Sequence, residues 1–150
     1  MSGLKNIKTV GFTLLEMILV IAVIGILSGI TLPSYNKFQN SNNLELATME
    51  LVQALRRANL LSLASSRDSS WGVFLSSGQI TLFKGSSYLS RDINYDENYN
   101  ISDIIQISGL SEVVFAKFSA SPQSTGTINF SINANTNKTI TINSRGIISY

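Results

Sequence analysis

Neither histidine nor cysteine occurs in this sequence, so its chemistry has to be sought among carboxylates, amines and hydroxyls. Without histidine the commonest general base and metal ligand is missing, and without cysteine no disulfide framework or thiolate metal site is possible. Three groups of residues remain whose types and spacing could do something. The first is Glu16, a lone acid at the lip of the apolar run KTVGFTLLEMILVIAVIGILSGITLP, residues 8–33. The second is Asp92, Asp96, Glu97 and Asp103, with Asn94, Asn98 and Asn100 among them. These supply oxygen ligands of the kind calcium takes, but their spacing matches no EF-hand, and a solvated polar loop is the competing reading. The third is Lys117, Lys138 and Arg145, cations in or near the C-terminal strands that could meet nucleic-acid phosphates. Three scattered bases make a thin electrostatic case, and nucleic acid is not the expected partner. No set amounts to a catalytic constellation, so the expectation is a non-enzymatic protein with no cofactor and no resident metal.

Glu16 carries the most information because of where it sits. From Phe12 to Tyr35 the stretch would be roughly 36 Å long at about 1.5 Å per residue, enough to span a bilayer as a helix. An ionised carboxylate in hydrocarbon costs on the order of 2.5 to 3.5 kcal/mol, so it needs a partner, a proton or a route to water. Snorkelling to the interface and N-terminal capping are the simpler readings. Lys5 and Lys8 supply the whole net charge of +2, which leaves the rest of the chain neutral. They precede the run with no acid among residues 1–11, so the N-terminus is expected in the cytoplasm and the bulk outside. Within the run, Gly25 and Gly29 form a GxxxG pair that permits close helix approach in lipid. Pro33 removes a backbone donor and marks a place for bending or a membrane exit. The competing reading is an ordinary secretory signal peptide on a soluble β domain, although the run is long for that and no clear small-x-small cleavage site follows.

Beyond the run, NKFQNSNN (36–43) is polar enough to emerge into water. Then Leu44, Ala47, Leu51, Leu55, Ala58 and Leu61 recur at helical spacing. One helix with a membrane half and an amphipathic half is expected, about 80 Å long if it runs from Phe12 to Ala64. Arg56 and Arg57 read as part of its solvated face. After Ser65 short alternating runs broken by serine, glycine and asparagine predict five to seven strands: SWGVFL and QITLFK as a hairpin around Ser76 to Gly78, then NISDIIQIS, EVVFAKF, TGTINFSI, KTITIN and RGIISY. The expected fold class is α+β, a long N-terminal helix whose outer half packs on a small antiparallel β-sheet head. Trp71, Phe74, Leu82, Phe115 and Phe130 are candidate core or sheet-packing residues, with core the default for each.

A short basic leader ending in Gly11, then Phe12-Thr13-Leu14-Leu15-Glu16 and an apolar helix containing Pro33, resembles the class III signal of type IV prepilins and type II secretion pseudopilins. The head is similar, over patches only, to the GspH/FimT group of minor pilins and pseudopilins, in RDSSWGVFL and in the closing Ser144-Arg145-Gly146-Ile147-Ile148; the arginine usual after that glycine is replaced by Ile147. The resemblance implies a division into a leader (1–11), a transmembrane helix (12–35), its amphipathic continuation (36–65) and a β-rich head (66–150). It implies cleavage after Gly11 by a prepilin peptidase and N-methylation of Phe12. Glycine lets an extended peptide lie close against a protease backbone, whereas on its own it reads as a flexible joint. Glu16 would meet the Phe12 amine of a neighbouring subunit. Gly25, Gly29 and Pro33 would lie in the helical bundle of a filament. The implied partners are other pilin or pseudopilin subunits, an inner-membrane assembly platform, the lipid bilayer and a secreted protein. The implied location is the bacterial inner membrane, single-pass, and then the filament. A DNA-binding minor pilin of a competence pilus is the alternative within the same family.

Overall fold

A computed structural model describes residues 11–133 and 136–150, the side chains of residues 30–36 excepted. The helix α1 (Leu14–Leu63) opens at a Thr-x-x-Glu box. Thr13 Oγ1 accepts the Glu16 N–H at 3.3 Å, which satisfies one of the donors that a helix start leaves free, and the Thr13 carbonyl accepts the Met17 N–H at 3.2 Å as the first helical bond. At the other end Ser65 adopts φ 49 and donates its N–H to the Ser62 carbonyl at 3.0 Å, which stops the helix. The chain divides into two compact units, one up to Phe38 and one over Gln39–Tyr150, and α1 contributes to both.

In the second unit Leu44, Ala47, Thr48, Leu51, Val52, Ala54, Leu55, Ala58 and Ser62 form a buried stripe along α1. This is the one-sided pattern of a helix laid on a core. Leu61, expected in that stripe, is only half-buried, and Ser62 takes the buried position of its turn.

Eight strands follow: β1 (Trp71–Ser76), β2 (Gln79–Lys84), β3 (Glu97–Asn100), β4 (Gln106–Gly109), β5 (Glu112–Phe115), β6 (Gly126–Asn133), β7 (Thr136–Ile142) and β8 (Ile148–Ser149). All pairings are antiparallel. The single sheet expected from sequence is in fact two, ordered β3-β2-β1-β5 and β4-β6-β7-β8. The reason lies at Gly109, which takes φ 92 where a Cβ would meet the Thr127 carbonyl oxygen at 2.1 Å. There the chain leaves β4, paired to β6, and crosses to β5, paired to β1. Both sheets turn their inner faces to the α1 stripe: Val73, Leu82, Val113 and Phe115 from one, Ile128, Phe130, Ile140 and Ile142 from the other, in one cluster.

Two further expectations are corrected. NISDIIQIS is not one strand: Asn100 ends β3, Ile105 is buried in a turn closed by its N–H on the Ser102 carbonyl at 3.1 Å, and β4 begins at Gln106. Phe74 is not in the core, because on β1 it points to the face opposite Trp71, Val73 and Leu75. A flap after β2 covers it there. Tyr88 stacks on Phe74 at 3.8 Å between ring centroids and meets Phe83 edge-on at 5.7 Å, while its N–H donates to Glu112 Oε1 at 2.8 Å. Trp71, Leu82, Phe115 and Phe130 are buried as expected, and the hairpin turns through Ser77 and Gly78, the glycine at φ 76.

Ser62 ties α1 to the first sheet. Its hydroxyl accepts the Trp71 N–H at 2.9 Å and donates to the Phe115 carbonyl at 3.0 Å. Ser62→Ala leaves both buried backbone groups without a partner and is expected to lower stability by about 1–3 kcal/mol. Chemical denaturation in detergent, followed by fluorescence of Trp71, the sole tryptophan, checks this; an unchanged midpoint would remove Ser62 from the account of the fold.

Candidate functional site

The first unit brings the motif residues to the mouth of α1. Gly11 and Phe12 precede the capping residue Thr13, and Phe12 is 78% exposed. Glu16 lies in the first helical turn and is exposed, where a negative charge is favoured by the helix dipole, typically by about 0.3–1 kcal/mol. Thr13 caps the helix through the Glu16 backbone N–H, a bond that does not involve the Glu16 carboxylate. From Gly11 to Gly29 every described residue is exposed, and Glu16 is the only charge among them. Gly25 and Gly29 lie one turn apart, and a Cβ added at either meets nothing within 4 Å. Between them Ser28 turns its hydroxyl back on the Ile24 carbonyl at 2.8 Å, which satisfies it inside the helix.

Lys5, Lys8 and the leader through Val10 lie outside the described residues. Pro33 lies within α1, but its side chain is outside the description. Among the described residues no helix is long and apolar enough to cross a membrane. The span read from sequence, Phe12 to Tyr35, includes residues 30–36, whose side chains are not described.

The carboxylates of residues 92–103 do not converge. Asp92 caps a short helical turn, accepting the Asn94 N–H at 3.3 Å, and pairs with Lys84 at 3.6 Å. Asp96 pairs with Arg91 at 2.8 Å, and Glu97 with Arg57 of α1 at 2.6 Å. Asp103 sits on the hairpin glycine Gly78. Among the described residues no group of three His, Cys, Asp or Glu side chains could hold a metal ion. These pairs also mark two shifted groups. The hydrogen bond to Asp96 holds the Arg91 guanidinium above its ordinary pKa, and partial burial, helped by Glu97 at 3.0 Å, raises the Tyr99 phenol.

The three candidate nucleic-acid contacts are likewise dispersed. Lys117, after β5, pairs with Asp68, and Lys138 of β7 pairs with Glu45 of α1 at 2.7 Å. Arg145 lies exposed in the β7–β8 turn. That turn is built on Asn143, whose Oδ1 accepts the N–H groups of Arg145 and Ile147, both at 2.9 Å, with Gly146 at φ 74.

Two features escaped sequence reasoning. The flap around Tyr88, with the Arg91 guanidinium 3.7 Å from its ring centroid, had no signal beyond an aromatic in a serine-rich loop. The approach of Arg56 to the C-terminal Tyr150 ring, 5.9 Å from its centroid, had none at all. Compared with known proteins, the chain matches no family model, no curated protein and no solved structure.

Proposed function

We propose that this chain is a minor pilin or minor pseudopilin, a structural subunit of a type IV pilus or a type II secretion pseudopilus. A prepilin peptidase cuts after Gly11, Phe12 becomes the methylated N-terminus, and the apolar part of α1 is retained. The subunit waits in the inner membrane with its head outside, then joins a helical filament, where its role is in initiation, at the tip, or in contact with a secreted protein. Its work is assembly, with no chemical step of its own.

The observation that carries this reading is Gly11-Phe12-Thr13-Leu14-Leu15-Glu16 opening a helix that is apolar and exposed on every side through Gly29. A helix apolar all round needs cover, from lipid or from other helices. A filament bundle supplies the second after the bilayer has supplied the first. Glu16 then meets the amine of a neighbouring Phe12, and because both charges leave water, wrong registers are penalised more than affinity is gained. N-terminal sequencing and intact mass of the protein recovered from membranes test the reading. The expected first residue is N-methylated Phe12. A mature chain beginning within or beyond the apolar run overturns it.

A further inference from the structure

β4 is the end strand of its sheet: β6 pairs with one side of it and no strand pairs with the other. Along that open side runs a groove of about 350 Å³. One wall is the run from Ile105 through β4 to Ser111, and the other is Leu75, Ser76 and Ser77 at the end of β1. Successive strand residues point to opposite faces of a sheet, so a cavity touched by all four residues of β4 lies along its edge and not over one face. The two walls join where Leu75 gives its N–H to the Ser111 carbonyl at 2.8 Å. The chain covers the outer edge of β5 with its own backbone, the Ala116 N–H reaching the Ser121 carbonyl and the Gln123 N–H the Val114 carbonyl, both at 2.8 Å. Among the described residues nothing does the same for β4.

Backbone, lining and charge together define what fits this groove. Leu110 gives its N–H to the Thr127 carbonyl of β6 at 3.0 Å. The alternation of an antiparallel ladder then turns Ser108 and Gln106 toward β6 as well, and leaves the N–H and C=O of Ile107 facing the groove. Both groups are placed to pair with an extended backbone laid alongside. The lining is aliphatic, with Leu75 and Ile105 buried and Ile107 and Leu110 half-buried. Asp103 also lines the groove, exposed and without a cationic partner among the described residues. A lone carboxylate there repels phosphates and other anions and attracts a cation. The four residues of β4 span about 13 Å at ~3.3 Å per residue, so the segment that matches them is about four to six residues long.

We propose that the open edge of β4 binds an extended, cationic segment of a partner protein. The segment adds to the second sheet as a further strand, sets an aliphatic side chain against Leu75 and Ile105, and places a lysine or arginine at Asp103. The site is independent of the filament reading, since neither the N-terminal motif nor the order of subunits enters it. The probe is an end-blocked, fluorescein-labelled peptide of alternating threonine and valine with a lysine at each end, titrated with the full-length chain in detergent and read by anisotropy. The expected result is saturable binding, several-fold weaker for the same peptide ended in glutamate and lost when the peptide's amides are N-methylated. Asp103→Lys should invert the preference, weakening the lysine peptide and strengthening the glutamate one several-fold. Ile107→Pro removes the outward-facing N–H without touching a bond to β6, and should weaken the lysine peptide several-fold while Trp71 fluorescence shows the head still folded. Asp103→Lys, at an exposed position, keeps the test decisive if the proline disturbs the strand. Lack of saturable binding, binding that survives N-methylation, or a preference unmoved by Asp103→Lys each overturns the proposal. A change in the chain's own sedimentation on Asp103→Lys would assign the groove to a second copy and overturn it equally.

Discussion

Gly11→Ile is expected to leave the chain as a full-length precursor in the inner membrane, with cleavage lost entirely, whereas Gly11→Ala should slow it less. A protease that grips an extended peptide along its backbone has no room for a branched side chain beside the cut, and glycine alone gives the approach free of a Cβ. The protein itself sets no such demand, since a Cβ at Gly11 meets nothing within 4 Å. Nor does Gly11 belong to α1, which begins at Leu14 behind the Thr13 cap. Loss of processing would therefore report on recognition by the peptidase, not on damage to the fold. The measurement is intact mass and gel mobility of the membrane fraction, comparing Gly11→Ile with the unaltered chain. A Gly11→Ile protein that still begins at Phe12 contradicts the assigned cut.

What the sequence made legible followed from periodicity. Leu44, Ala47, Leu51, Leu55 and Ala58 recur at helical spacing and are buried, because a helix laid on a core has one face to hide. The turn at Ser77-Gly78 was legible because the local chemistry of a two-residue hairpin favours a glycine able to take φ > 0. Strand partners were not. Alternation says which side chains face inward and nothing about which strand lies alongside, so two sheets meeting on one helix read the same as one. Phe74 was misplaced for a related reason: an aromatic on the outer face of β1 becomes partly buried only because the Tyr88 flap folds over it, and that cover comes from a segment with no strong pattern of its own.

The candidate sites divide along the same line. The Gly11-to-Glu16 motif is contiguous, so its placement at the helix mouth could be read directly. The carboxylates at 92–103 offered oxygen ligands, but two of the three cations that engage them come from other elements, Arg57 from α1 and Lys84 from β2, while Arg91 is a near neighbour of Asp96. Lys117 and Lys138 repeat the lesson from the other side, each meeting an acid, Asp68 or Glu45, brought up by folding from far away in sequence. Single-residue charge is visible in a sequence; pairing across sheets and helix is not.

Glu16 allows the sharpest separation of roles, because its two explanations respond differently to one substitution. As the N3 residue of a capping box opened by Thr13, it can be replaced by glutamine, which serves the same position nearly as well. As the partner of a neighbour's charged amine it cannot, since glutamine leaves that amine in a desolvated contact without a counter-charge. Removing one member of a buried ion pair costs about 3–5 kcal/mol, and each ~1.4 kcal/mol is a tenfold change in an equilibrium. Glu16→Gln and Glu16→Ala are thus both expected to be cut normally after Gly11, since neither touches the cut itself, and both to fall at least about tenfold in the filament fraction relative to the membrane fraction. Quantitative immunoblotting of sheared filaments against membranes measures the ratio. Full recovery of Glu16→Gln alongside loss of Glu16→Ala would assign Glu16 to capping. Full recovery of both would leave the carboxylate no part in assembly, because the helix start would then be satisfied by Thr13 alone and no neighbour would be waiting for the charge.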